Sequence, residues 1–154
     1  MVLSNQEHPA NVVPWYVLRD RFGIVIREIN LDSGTSLLDE VRGVLSSRTR
    51  MVSISHVSRN NGRRLRTDES AELGELLRSR GIVYHLDGAQ GPGCVEVDFG
   101  HLGCDCYSTC GHKWLLGPKG TGAFFVRDDM LDRLQLSWSG SHSHSTMDYE
   151  GSYS

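Results

Sequence analysis

Short apolar runs alternate with single stretches of helical periodicity along most of this chain. Residues 82–86 (IVYHL) are almost continuously apolar, which is typical of a strand whose two faces are both covered. Before them, residues 68–80 repeat alanine and leucine at helical spacing, and Gly81 is placed to end that helix. Strands that alternate with single helices predict a parallel sheet, because a parallel return needs a crossover. We therefore predict an α/β fold with three layers and a mainly parallel sheet.

The same reasoning places further elements and one change of composition. Strands are predicted at residues 2–4, 24–29, 51–57, 104–110 and 122–126, and helices at 9–22, 37–45 and 128–134. Pro9 and Gly23 suit the start and the end of the first of these helices. From residue 137 to its C-terminus, the chain is rich in serine, histidine and glycine. We predict one domain over residues 1–136 and a polar segment over residues 137–154.

The length and charge of the chain argue against several classes of protein. Its 154 residues suit one domain of ordinary size. A net charge of −3, from 16 basic and 19 acidic residues, gives no electrostatic basis for binding nucleic acid or an anionic membrane. No apolar run approaches the ~20 residues that cross a bilayer, and the first residues lack the features of a signal peptide. We expect a cytoplasmic protein with neither nucleic-acid nor membrane partners.

A carboxylate and a lysine follow two neighbouring strands of the predicted sheet. Asp87 ends one strand, and Lys113 follows the next after about one strand-to-strand return. Open α/β sheets bind ligands at the carboxyl ends of their strands, so the two side chains should share a site. A lysine that can form a Schiff base and an acid that can hold a pyridinium nitrogen are what pyridoxal phosphate (PLP) chemistry needs. A turn aspartate and a solvated lysine are the alternative interpretation.

The cysteines allow a second kind of site. They lie at Cys94, Cys104, Cys106 and Cys110 and form no C-x-x-C pair. Cys110 and His112 could bind a metal with one other cysteine, but no second ligand pair completes a tetrahedron. No metal site is therefore predicted, and reduced thiols are expected.

Three histidines and a glycine-rich loop carry weaker signals. His56 follows a strand, so it fits either a core histidine or a residue of the site. His85 and His101 have no partner pattern and are interpreted as structural. Residues 117–122 (GPKGTG) are similar to a phosphate-binding loop, but they precede a strand instead of a helix. We interpret them as a tight turn.

Four stretches of the chain together resemble the class V aminotransferase family. These fold type I PLP enzymes include cysteine desulfurases, selenocysteine lyases and isopenicillin N epimerase-like proteins. The matching stretches are residues 7–15 (EHPANVVPW), 55–58 (SHVS), 87–90 (DGAQ) and 111–122 (GHKWLLGPKGTG). They follow the family's order and span most of the chain. The resemblance implies the large domain of a PLP-dependent transferase.

The resemblance also implies a role for each matched residue. Lys113 would be the catalytic Schiff-base lysine, and Asp87 would pair with the pyridine nitrogen of the cofactor. His8 would stack on the cofactor ring and assist catalysis. Gln90 would lie near the phenolic oxygen, and His112 would contact the phosphate.

The chain departs from the desulfurase pattern at two positions. Cys110 stands where desulfurases often have a phosphate-binding serine. Arg59 follows Ser58, where many desulfurases carry asparagine. The resemblance places Cys110 on the phosphate side of the cofactor.

The family suggests the reaction as well. We expect a PLP-dependent enzyme that acts on an amino acid, most similar to cysteine desulfurase or selenocysteine lyase, with epimerase or aminotransferase activity as the alternative. Family members are much longer, so we expect the central part of a large domain, and full-length relatives that form homodimers. A non-catalytic remnant and a small metal-binding α/β protein are the alternatives from other classes.

Overall fold

The computed structural model describes residues 1–135, and six strands in this range form one sheet. They are β1 (Val2–Ser4), β2 (Arg27–Ile29), β3 (Met51–Ser55), β4 (Val83–Asp87), β5 (Cys106–Cys110) and β6 (Gly122–Val126). Their order across the sheet is β2-β1-β3-β4-β5-β6. Strands β1 to β5 run parallel, and β6 pairs antiparallel with β5. The mainly parallel α/β sheet is thus confirmed, with β6 as an antiparallel edge strand.

Helices connect the parallel strands. They are α1 (Pro9–Phe22), α2 (Leu37–Val44), α3 (Thr67–Arg78) and α4 (Phe99–Leu102), and a 3-10 helix (Asp128–Arg133) follows β6. Ser36 caps α2 by accepting the backbone N–H of Asp39 at 3.2 Å. Gly23 ends α1 at a φ of 67°, in the left-handed region that favours glycine. The start and end of α1 and the cap of α2 therefore follow from the sequence.

The two faces of the central strands differ in character. On one face, Ile54 and Leu86 are buried in an apolar core with Val41 of α2 and with Leu73 and Leu77 of α3. Side chains alternate between the two faces of a strand, so the intervening residues lie on the opposite face. These residues are mostly polar, and α1 covers them. The result is three layers, with the apolar core on the side of α2 and α3.

Helix α1 differs from its sequence pattern. Its apolar residues recur at helical spacing, yet Val13, Tyr16 and Phe22 are 53%, 39% and 73% exposed. Asn11 is the buried residue of the helix. The side of α1 that meets the sheet therefore contacts a polar strand residue, since Asn11 accepts the hydroxyl of Ser53.

Several boundaries also differ from those predicted. Strand β2 begins at Arg27 instead of residue 24, and the short helix α4 was not predicted. The polar segment predicted over residues 137–154 lies outside the described residues. None of the helices described in residues 1–135 is long and apolar enough to cross a membrane.

Candidate active site

The polar face of the sheet ends in a row of functional side chains. Ser55 ends β3, Asp87 ends β4 and Cys110 ends β5, so all three lie at the carboxyl edge of the parallel strands. His8 follows β1 at the same edge and precedes α1. Ligands of open α/β sheets bind at this edge, as the sequence analysis expects.

Asp87 and Lys113 border the same cavity. Strands β4 and β5 are neighbours, and Asp87 pairs in register with Ser108. Lys113 lies in the loop that follows β5. A cavity of about 560 Å³ is lined by Asp87, Lys113, His8, His85, Cys110 and His112, among others. The structure therefore brings together the carboxylate and the amine that the sequence singled out.

A narrow pocket of about 10 Å³ adjoins these residues and adds two more. It is lined by Asp87, Lys113 and His8, and also by Gln90 and Arg59. Arg59 is exposed and has no ion pair with any described carboxylate. The arginine that departs from the desulfurase pattern thus lies at the edge of the site.

The carboxylate of Asp87 is held by its own turn. Its Oδ1 accepts the backbone N–H of Ala89 at 2.9 Å. Its Oδ2 has no hydrogen-bond partner among the described residues. One oxygen therefore orients the group and the other is available to a ligand, which suits a carboxylate that pairs with a cationic ring nitrogen.

His8 has a structural task besides any role in the site. Its Nδ1 accepts the backbone N–H of Ala10 at 3.0 Å and so caps the first turn of α1. An accepting Nδ1 carries no proton, so the neutral ring is the Nε2–H tautomer. The cap fixes the orientation of a flat ring at the wall of the cavity.

Gln90 connects the two loops that carry the reactive groups. Its Oε1 accepts the indole N–H of Trp114 at 2.9 Å. Because the amide oxygen is occupied, the NH2 group of Gln90 is the part that can donate to a ligand oxygen. The contact links the Asp87 turn to the loop that presents Lys113.

The loop after β5 closes on itself through backbone hydrogen bonds. The N–H of Gly111 donates to the carbonyl of Thr121, and the N–H of Gly117 donates to the carbonyl of Gly111, both at 2.8 Å. A Cβ on Gly111 would lie 2.3 Å from Oγ1 of Thr121, so the position needs glycine. These contacts agree with the interpretation of residues 117–122 as a tight turn.

Cys110 and His112 both line the larger cavity. The thiol of Cys110 points to the carbonyl of Ala89 at 3.7 Å, and His112 is exposed. Within residues 1–135, no group of three or more histidine, cysteine, aspartate or glutamate side chains could hold a metal ion. The arrangement of these two residues gives no support to the metal-binding alternative.

The structure gives different surroundings to His56, which follows β3, and to His85 of β4. His56 is fully buried, and its Nδ1 lies 3.0 Å from the hydroxyl of Tyr107. Burial, with a smaller effect of Arg64, lowers the pKa of His56 to about 4. His56 is thus a core histidine, whereas His85 lines the cavity. The interpretation of His85 as purely structural is incomplete.

Sequence reasoning missed a further set of polar residues beneath the site. Glu7, Asn11, Ser53, His85 and Ser108 form a connected hydrogen-bond network on the polar face of the sheet. A signal was available, because Ser53 and Ser55 interrupt an apolar strand with period two. That pattern indicates a strand with one polar face.

A second concavity lies at the opposite edge of the sheet. It has a volume of about 580 Å³ and is bordered by Met1, Met51 and Val83 at the starts of their strands. Its other walls include Trp15 and Arg133. No carboxylate lines it, and none of the candidate site residues borders it, so it is not the candidate active site.

Comparison with known proteins identifies the family. Residues 1–153 match the model of the family described as "Aminotransferase class-V". The chain therefore belongs to the class V aminotransferase family, as its motifs predicted. A cysteine desulfurase of Klebsiella pneumoniae is 38% identical over 144 residues, which cover 93% of this chain and 34% of that protein. The chain thus spans about one third of the length of this relative.

Solved structures share the fold. The C-DES variant with glycine covalently linked to its PLP cofactor matches 99% of this chain and 40% of that chain, with a TM-score of 0.88 and 27% identity. The complex of the cystine C-S lyase C-DES with its product cysteine persulfide covers 99% of this chain and 41% of that chain. Its TM-score is 0.88 and its identity 28%. The α/β fold predicted from the sequence is that of PLP-dependent enzymes.

Proposed function

We propose that this chain forms the cofactor-binding face of a PLP-dependent enzyme similar to cysteine desulfurase. The observation that carries the proposal is the cavity lined jointly by Asp87, Lys113 and His8. A cysteine desulfurase relative and a PLP-bound structural neighbour support it. Bound PLP supplies an electron sink that stabilises negative charge at the α-carbon of an amino acid.

The residues present fit such a group. Asp87 has a free carboxylate oxygen that would pair with the ring nitrogen, and the amine of Lys113 would bind the aldehyde carbon covalently. The capped ring of His8 would cover one face of the cofactor. The NH2 group of Gln90 would donate to the phenolic oxygen, since its carbonyl already accepts from Trp114.

Two further candidate residues lie at or just after the end of β5. His112 and Cys110 line the cavity at this end and would contact the phosphate. Lys113 would also move the α-proton of the substrate. His8, which lines the same cavity, would assist.

Cysteine is the proposed substrate, and removal of its sulfur is the proposed reaction. The names of the curated relative and of the C-S lyase neighbour support sulfur chemistry over epimerisation or amino transfer. Formation of alanine from L-cysteine, with the sulfur transferred to an added thiol as a persulfide, separates desulfuration from the other reactions. A homodimer and a cytoplasmic location belong to the same proposal.

A labelling experiment tests cofactor binding directly. The chain contains two lysines, Lys113 and Lys119, and Lys119 is exposed. The protein is incubated with PLP, reduced with borohydride and digested, and the modified peptides are identified by mass spectrometry. We expect the pyridoxyl group on Lys113 at low PLP concentration.

Matched variants give the comparison. Lys113→Ala should abolish specific labelling, whereas Lys119→Ala should leave it unchanged. Asp87→Asn should raise the PLP concentration needed for half-labelling, because the carboxylate no longer balances the ring charge. Equal labelling of both lysines in the wild-type protein would contradict the proposal.

A further inference from the structure

Glu7 is a buried carboxylate surrounded by hydrogen-bond donors. Its Oε1 accepts the backbone N–H of Ser55 at 2.9 Å and the hydroxyl of Ser4. Its Oε2 accepts the hydroxyl of Ser55 at 2.7 Å and the side-chain N–H of Asn11 at 2.8 Å. Glu7 is 8% exposed, and no described cation pairs with it. Donors on both oxygens are the environment of an ionised carboxylate.

A chain of hydrogen bonds runs from this carboxylate through side chains of α1, β3 and β4 to β5. The hydroxyl of Ser53 donates to Oδ1 of Asn11 at 2.9 Å. Nδ1 of His85 lies 2.7 Å from the same hydroxyl, and Nε2 of His85 lies 2.8 Å from the hydroxyl of Ser108. Ser53 is fully buried and Asn11 is 9% exposed, so water does not replace these partners.

The charge of Glu7 sets the direction of every bond in this chain. A carboxylate only accepts, so Asn11 must turn its NH2 group toward Glu7 and its oxygen toward Ser53. Ser53 has one hydroxyl proton and gives it to that oxygen. The hydroxyl must then accept from His85, which places the imidazole proton on Nδ1. Nε2 of His85 is left to accept from Ser108.

We infer that Glu7 is a positioning residue that fixes the ring of His85 as the neutral Nδ1–H tautomer. His85 and Asp87 are two residues apart on β4, so they lie on the same face and line the same cavity. An imidazolium at position 85 would be a cation beside Asp87 and would compete for its carboxylate. With the ring neutral and its proton donated to Ser53, Asp87 is left to the cofactor, a consequence that rests on the proposed function.

The pKa shift of His85 agrees with this assignment, and hydrogen bonds oppose the shift of Glu7. Burial lowers the pKa of His85, against the attraction of Asp87, and so favours the neutral ring. Burial raises the pKa of Glu7, and the hydrogen bonds from Ser4, Ser55 and Asn11 act against that rise. The hydrogen bonds to Glu7 therefore favour its ionised form, which is the form that orients the network.

Substitution of Glu7 by glutamine should reverse the direction of these hydrogen bonds. The backbone N–H of Ser55 needs an acceptor, so the oxygen of the new amide must occupy the Oε1 position and its NH2 group the Oε2 position. Two NH2 groups would then face each other, and Asn11 must turn its oxygen toward residue 7. Ser53 would accept from Asn11 and donate to His85, whose proton would move to Nε2.

Nitrogen NMR of the histidine rings tests the inference without cofactor. The full chain is labelled with 15N-histidine, and the ring signals of His85 are assigned from their loss in His85→Asn. We expect the Nδ1–H pattern in the wild-type protein and the Nε2–H pattern in Glu7→Gln. Ser55→Ala is the matched control: it removes one hydroxyl from Glu7 but keeps the backbone N–H and Asn11, so the Nδ1–H pattern should persist.

A second variant keeps the inference testable if Glu7→Gln does not fold. Asn11→Ala disconnects Glu7 from Ser53, so signals of both His85 tautomers should appear. An Nε2–H ring in the wild-type protein, or an unchanged Nδ1–H ring in folded Glu7→Gln or Asn11→Ala, would overturn the inference. Because no PLP is present, these outcomes are independent of the labelling of Lys113.

Discussion

The ring of Tyr107 occupies the space that a side chain on Gly88 would need. A Cβ on Gly88 would lie 1.9 Å from Cε1 of Tyr107, and a Cβ on Gly91 would lie 2.2 Å from the tyrosine hydroxyl. Tyr107 is 1% exposed and also contacts His56. The turn that follows Asp87 is therefore shaped by an aromatic side chain from the neighbouring strand.

Gly88→Ala should destabilise the protein by about 1–3 kcal/mol, because the rigid ring of Tyr107 cannot move out of a packed core. Urea denaturation followed by circular dichroism measures the change. Gly43→Ala is the control, since position 43 lies in α2 with nothing within 4 Å of the added Cβ. That variant should gain about 0.5–1 kcal/mol. Equal effects of the two substitutions would contradict the packing argument.

His8→Ala should cost about 1 kcal/mol of stability, because α1 loses the side chain that accepts the N–H of Ala10. His8→Ser should keep the cap and most of the stability, since a serine hydroxyl is a good N-cap. Both variants lack the flat ring, so both should need more PLP to label Lys113. Unchanged labelling in His8→Ser would show that the ring does not contact the cofactor.

The stability of the protein should decrease as the pH falls below about 6.5, because of His56. Its pKa is about 4 in the folded protein against 6.5 for the free side chain. The unfolded chain therefore takes up a proton between these values and the folded chain does not, which favours unfolding. The full loss of stability between these two pKa values is on the order of 3 kcal/mol, at ~1.4 kcal/mol per pH unit. The lowered pKa of His85 acts in the same direction.

Urea titrations between pH 7 and pH 5 measure the slope of the unfolding free energy against pH. His56→Gln should flatten it, provided that the variant folds, because the buried ionisable ring is gone. His101→Gln should leave it unchanged, since the side chain of His101 is 79% exposed and paired with Asp98. A slope that survives the loss of His56 would assign the pH dependence to other groups.

Asp105→Ala should be strongly destabilising, by about 3 kcal/mol. Its Oδ2 accepts the backbone N–H of Tyr84 at 2.8 Å, and its Oδ1 lies 2.8 Å from Nη1 of Arg127. Nη1 of Arg127 has no hydrogen-bond partner among the described residues, so this second contact is ionic. The substitution leaves a buried N–H without an acceptor and Arg127 without its buried partner.

Asp129 provides the matched control for Asp105. It also pairs with Arg127, but its side chain is 66% exposed. Exposed ion pairs contribute about 0–1 kcal/mol, so Asp129→Ala should have a small effect. Thermal or urea unfolding of the two variants measures the difference. A similar cost for both would mean that burial does not decide the strength of this pair.

The sequence located the reactive groups because their placement depends on strand order. Asp87 ends one parallel strand and Lys113 follows the next, and neighbouring parallel strands end at one edge. Caps such as Ser36 and Gly23 were predictable for a similar reason, since they depend on backbone geometry within a few residues. The roles assigned to Lys113, Asp87 and His8 are still predictions.

The parts that the sequence did not predict depend on what each face contacts. The apolar residues of α1 are periodic, but periodicity does not say which side of a helix meets the sheet, and Asn11 is the residue that does. His85 looked structural because its partners, Ser53 and Ser108, are distant in sequence and meet it only across neighbouring strands.

The sequence alone therefore determined the alternation of strands and helices, the family, and the edge of the sheet at which Asp87 and Lys113 meet. These follow from local periodicity and from the geometry of parallel strands. Only the tertiary structure decided that α1 covers a polar face, that Tyr107 shapes the turn after Asp87, and that Glu7 is connected to His85. Each of these depends on side-chain contacts between segments far apart in the chain, and strand register and helix packing set those contacts.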